Sequence, residues 1–198
     1  MAHAFRARKG EIVGKLDADE RFLLVHLMDQ VRALVEGMSP GLPELTGDPL
    51  ADAVASIEAE PRVAEEIEDP ALRRLFPDAR RDDPQAAGEF RRLTETGLRQ
   101  RKVDQLSRAR EVLSRPGTGR KGEDVHLTRA EAAVVTVALT DVRLVLGERL
   151  ELRTDEDADA LQRHLDEAGP DDAKAQSVAL YDFLTWVQET LATALVEA

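Results

Sequence analysis

The chain has 198 residues, 42% of them apolar and only 4% aromatic, with no cysteine and a formal net charge of −12. That is the size of one domain, with a core made mostly of Leu, Val and Ala. The composition excludes disulfides, thiol chemistry and zinc–thiolate sites, and the charge opposes indiscriminate binding of the whole chain to nucleic acid or anionic membrane. The charge is uneven. Residues 91–121 hold ten bases and three acids, whereas residues 122–198 hold six bases and seventeen acids. Either these segments neutralise each other within the fold, or one of them faces a partner. The first sixteen residues contain no continuous apolar run of signal-peptide length, so a cytoplasmic protein is expected.

Taken in order, residues 5–8 and 11–16 flank Lys9-Gly10, with Phe5 and Ala7 alternating with Arg6 and Arg8. This predicts a β-hairpin, residues 1–16, appended to a single domain spanning 1–198. Two strands alone are marginal, and residues 124–127 could add a third. Asp17 and Glu20, in capping-box spacing, predict a helix to about Glu36 that Gly37 closes. Its core face is expected to hold Phe22, Leu23, Val25, Leu27, Val31, Leu34 and Val35. Residues 39–47, rich in Pro and Gly, read as loop.

Three Asp-Pro pairs follow, at 48–49, 69–70 and 83–84. Aspartate caps a helix and proline suits its first position, so each pair predicts a helix start. The helices are expected to reach about Ala59, Phe76 and Ser114, with a short turn over 63–67. The third carries Phe90, Leu93, Leu98, Leu106, Ala109 and Leu113 on its inner side. Residues 116–122 (PGTGRKG) form a loop. Thr128 and Glu131 are a second capping box and open the most distinctive stretch, 130–152, which is apolar nearly all round at 100° per residue. Such a helix must be sheathed by neighbours, because Asp141 and Arg143 break any run long enough for a membrane span. Thr154 caps an acidic helix to about Ala168, and Pro170 starts a last helix to Val196. That helix carries Leu180, Phe183, Leu184, Val187, Leu191 and Leu195, with Tyr181 and Trp186 beside them. The expected fold is mainly all-α: a bundle of about six helices around 130–152, with a small N-terminal β-hairpin.

Several clusters could carry chemistry. Arg91, Arg92, Arg99, Lys102, Arg108 and Arg110 could form a ridge that neutralises phosphates; the plainer reading is a solvated helix face. Asp141 and Arg143 lie two positions apart and so do not face each other. The expected structural partners are Asp182 for Arg143, and Arg91 or Arg92 for Asp141. Residues 117–122 lack the Gly-Lys-Ser/Thr ending of a P-loop. Residues 76–83 (FPDARRDD) mix three carboxylates with two arginines and read as a surface turn. The four histidines have no i, i+4 partner among themselves, and no nucleophile elbow or dinucleotide-binding glycine set occurs. No metal, cofactor or catalytic residue is therefore expected.

Three segments together, 75–93 (LFPDARRDDPQAAGEFRRL), 141–152 (DVRLVLGERLEL) and 180–191 (LYDFLTWVQETL), resemble an actinobacterial family of proteins of about this length, classed as a domain of unknown function. Its genes commonly neighbour the one for the ClpS protease adaptor. Some relatives are described as transcriptional regulators, and redox-linked regulation in oxidative stress has been proposed. The resemblance implies no catalytic motif, and a cysteine-free chain cannot inherit a thiol switch. The expected function is a non-enzymatic regulatory or interaction protein acting through a protein partner. A homodimer is a further expectation, since the last helix carries much apolar surface. The rival is direct DNA binding through the basic hairpin and the 91–121 helix face; a third reading is an enzyme with an unrecognised site.

Overall fold

The computed structural model describes residues 2–37, 67, 69–77, 84–167, 169 and 172–198, with the side chains of 84–96, 155, 166 and 167 outside that description. The expected helix at 48–59, the loop at 39–47, most of the turn at 63–67 and most of the 76–83 cluster lie outside the described residues. The elements are β1 (His3–Arg8), β2 (Glu11–Lys15), α1 (Ala18–Gly37), α2 (Pro70–Leu75), α3 (Pro84–Ser114), β3 (Asp124–Leu127), α4 (Arg129–Arg149), α5 (Asp155–Glu167) and α6 (Ala173–Glu197). The fold is mainly helical, with six helices among the described residues and the expected antiparallel hairpin at the N-terminus.

The caps set the helix starts. The Glu20 backbone N–H donates to Asp17 Oδ1 at 2.9 Å, and the Asp17 N–H donates to Glu20 Oε2 at 2.8 Å. Asp69 accepts from the Ala71 N–H at 2.8 Å. Thr128 and Glu131 close the second capping box in the same reciprocal way. Each cap satisfies backbone donors that the first turn leaves orphaned. The last helix departs from expectation: Asp172, not Pro170, caps it, accepting from the Ala175 N–H at 2.9 Å, and it begins at Ala173.

α4 is the sheathed helix. It packs against α1, α2, α3 and α6 and also touches β2 and β3. Ala132, Val135, Ala138, Leu139 and Val142 are buried, and Val134, Leu144, Val145 and Leu146 are half-buried against the core. The sheath is incomplete, because Val137 remains 47% exposed. α1 packs along α3, where Leu106, Ala109, Val112 and Leu113 are buried. The buried face of α1 is Leu24, Met28, Val31 and Val35. Phe22 lies outside it, 71% exposed and stacked on His26 one turn later. The i, i+4, i+7 line through Leu24 fits against α3, and Phe22 is off that line by half a turn.

The three strands form one antiparallel sheet in the order β1-β2-β3, with Ile12 opposite Leu127 and Lys15 opposite Asp124. Lys9 and Gly10 both have positive φ, 53° and 83°. That is the backbone of the two-residue turn whose twist matches that of the strands. Phe5, Ile12, Val125 and Leu127 belong to the main core with the helices. Gly14 makes room for this: a Cβ there would stand 2.6 Å from the Phe5 ring. Pairing with β3 and packing on α6 provide the support that two strands alone lack.

Candidate functional site

The strand period of two sorts the sheet into faces. Ile12, Gly14, Val125 and Leu127 are buried, and the alternate positions Glu11, Val13, Lys15, Asp124 and His126 point the other way with Arg6 and Arg8. Arg6, Arg8, Val13, Lys15, Asp124 and His126 line an open depression of about 460 Å³ on that outer face. Two of its side chains have partners within the sheet: Lys15 meets Asp124 at 3.3 Å, and His126 Nδ1 meets Glu11 at 3.1 Å. Arg6 and Arg8 are exposed and make no ion pair among the described residues. A turn bearing exposed Arg120 and Lys121 closes along the other edge of the sheet, beyond β3, held by paired backbone bonds between Thr118 and Asp124 of 2.8 and 3.1 Å. Gly119 in that turn has φ of 81°, and a Cβ there would stand 2.2 Å from Asp124 Oδ2. The turn thus lies directly against Asp124 at the β3 edge.

The helix ridge comes out differently. Lys102 Nζ bonds Asp141 Oδ1 at 2.6 Å and sits 5.9 Å from the Phe76 ring centre. Arg110 Nε bonds Asp29 Oδ2 at 3.0 Å, tying α3 to α1. Arg99 is half-buried and has a partner. Arg108 is exposed. The side chains of Arg91 and Arg92 lie outside the described residues, so their expected pairing with Asp141 does too; Asp141 has Lys102. Cations bonded within the fold are not free to meet phosphates.

Arg143 also has other partners than expected. Its guanidinium donates to Gln188 Oε1 at 2.6 Å and to the Tyr181 hydroxyl at 3.3 Å, and lies 5.1 Å from the Tyr181 ring centre. Gln188 in turn donates to Thr140 Oγ1 at 2.6 Å. Asp182 is exposed and is not part of this set. It lies one position on from Tyr181, about 100° further round α6. The Arg143 charge therefore meets neutral groups alone among the described residues, and its Nε is buried without a hydrogen bond. Nothing in the sequence marks Gln188 as a partner, because an uncharged residue carries no pairing signal.

A second buried ion-pair junction is one that sequence reasoning misses. Glu148 is buried on α4 and accepts from Arg74 of α2 at 3.0 Å and from Arg153. Burial pushes its carboxyl up, but the two guanidiniums outweigh that and hold it below its ordinary value. Arg149 bonds the capping residue Asp69 at 2.6 Å, and that carboxyl is pulled up by burial but held low overall by Arg149 and the Ala71 N–H. Among the described residues no group of three His, Asp or Glu side chains is placed to hold a metal ion. No described helix is long and apolar enough to cross a membrane.

A family model for a domain of unknown function, DUF2017, matches residues 2–195. The chain belongs to the DUF2017 family. The match reaches across the sheet and all six described helices of this DUF2017 chain. No curated protein and no solved structure matches it.

Proposed function

We propose that this DUF2017 protein is a non-enzymatic regulator that acts by binding a protein partner. The observation that carries the reading is Arg143, a half-buried guanidinium served by Gln188 and Tyr181 with no carboxylate among the described residues. An uncompensated charge in a partly desolvated setting gains most when a partner supplies the missing carboxylate. Val137, on the same helix about 120° round from Arg143 and 47% exposed, offers a partner that wraps α4 an apolar contact. Arginine and tyrosine are among the residue types that dominate interface energetics. The partner we infer presents an acidic side chain to the α4–α6 seam. The resemblance of 75–93, 141–152 and 180–191 to actinobacterial proteins described as regulators points to transcription or the stress response, in the cytoplasm.

The test is affinity capture from native lysate with the unaltered chain, Val137→Glu and Arg143→Gln, read by mass spectrometry. The reading predicts that a polymerase subunit or sigma factor is enriched by the unaltered chain and lost with both variants. Capture of no such component, or capture that both variants retain, refutes it.

A further inference from the structure

We infer that the outer face of the sheet, with Arg6 and Arg8 on β1 and Lys9 at the hairpin turn, binds the phosphate backbone of duplex nucleic acid. Charge is the first reason. In a chain of net −12, the β1–β2 hairpin carries three exposed cations, Arg6, Arg8 and Lys9, with no ion pair among the described residues, while on the outer face Lys15 meets Asp124 and the His126 ring meets Glu11. Screening confines charge effects to about 8–10 Å at moderate salt, so the local sign decides the encounter, not the net charge.

Spacing adds to this. Arg6 and Arg8 stand two residues apart on one face, about 6–7 Å, which lets their forks reach phosphates of neighbouring nucleotides. The depression is open rather than enclosed, suited to a long ligand lying across it. The chemistry also says what the face does not do. It holds no Phe, Tyr or Trp on which unpaired bases could stack, which disfavours single strands. Arg and Lys serve phosphate oxygens whatever the sequence, and phosphate contacts supply most of the affinity. This site is separate from the α4–α6 seam, so the two readings fail independently: Val137→Glu and Arg143→Gln leave this face intact.

The experiment is fluorescence anisotropy with a labelled mixed-sequence duplex of about 20 base pairs, titrated from about 20 to about 200 mM salt. A labelled polyglutamate of similar length is titrated in parallel. The unaltered chain should bind the duplex at low salt and lose affinity steeply as salt rises. Arg6→Gln with Arg8→Gln should weaken binding about tenfold and flatten the log–log salt slope by about two, one unit for each phosphate no longer neutralised. Arg108→Gln, which removes an exposed cation from the α3 ridge, should change affinity less than about twofold. Circular dichroism of each variant checks that it is folded; Arg6 and Arg8 make no ion pair among the described residues. Absence of binding at low salt overturns the inference. So does an unchanged double variant, an Arg108→Gln effect as large as that of the double variant, or polyglutamate bound as tightly as the duplex.

Discussion

On α3 the cations face carboxylates across a helix interface: Lys102 reaches buried Asp141, and Arg110 reaches Asp29. On the outer sheet face Arg6 and Arg8 face solvent. Both regions are runs of Lys and Arg in the sequence, and the α3 run is the longer. The difference lies in what packs opposite. A helix wedged between α1 and α4 inevitably brings its bases near their acids, whereas a sheet covered by helices on one side alone leaves its other side unanswered. A basic run thus marks a partner surface only where the fold provides no acid of its own.

Substitutions can break this contrast. The largest effect is expected for Lys102→Met, which leaves Asp141, 4% exposed, as a buried carboxylate without its cation; about 3 kcal/mol should be lost in urea unfolding at neutral pH. Gly14→Ala tests the other face of the sheet, where the Phe5 ring must yield to a Cβ 2.6 Å away; a loss of about 2 kcal/mol is expected by the same measurement.

Glu148→Gln should cost about 2 kcal/mol near pH 7 by weakening the bonds from Arg74 and Arg153. Its pH dependence is a second check. The folded-state pKa is lowered, so the stabilisation is complete above the unfolded carboxylate value, about 4, and drains away as pH falls through the lower folded value. The gap between the unaltered chain and Glu148→Gln should therefore narrow in acid; a gap of constant size would refute the assignment. Arg110→Gln breaks an exposed pair and should cost less than about 1 kcal/mol. Smallest of all, Arg6→Gln with Arg8→Gln should shift stability by less than about 0.5 kcal/mol. A larger loss would mean that the sheet cations, like those of α3, hold the fold together.

Much of the architecture is legible in the sequence because its signals are local. Asp17 with Glu20, Asp69-Pro70 and Thr128 with Glu131 each fix a helix start through bonds spanning three residues or fewer. Lys9-Gly10 fixes the hairpin turn in the same way. Phe22 misleads because aromatic character says nothing about which side of α1 meets α3. The site is less legible because its pairings span the chain: Lys102 with Asp141, Arg74 with Glu148 and Arg143 with Gln188 are 39, 74 and 45 residues apart. Opposite charges in a sequence identify partners only by type, and many acids could have served Arg143. For the same reason the α3 cations read as a free ridge until their acids are located, while the hairpin arginines stand out once the sheet has an inside and an outside.

Thr128 alone separates the last residue of β3 from the first of α4. Its hydroxyl and Glu131 clamp that joint, and His126 two residues earlier lies on the charged outer face. The outer sheet face and the helix that carries Val137 and Arg143 are thus joined through a single capped residue, although the two exteriors share no side chain.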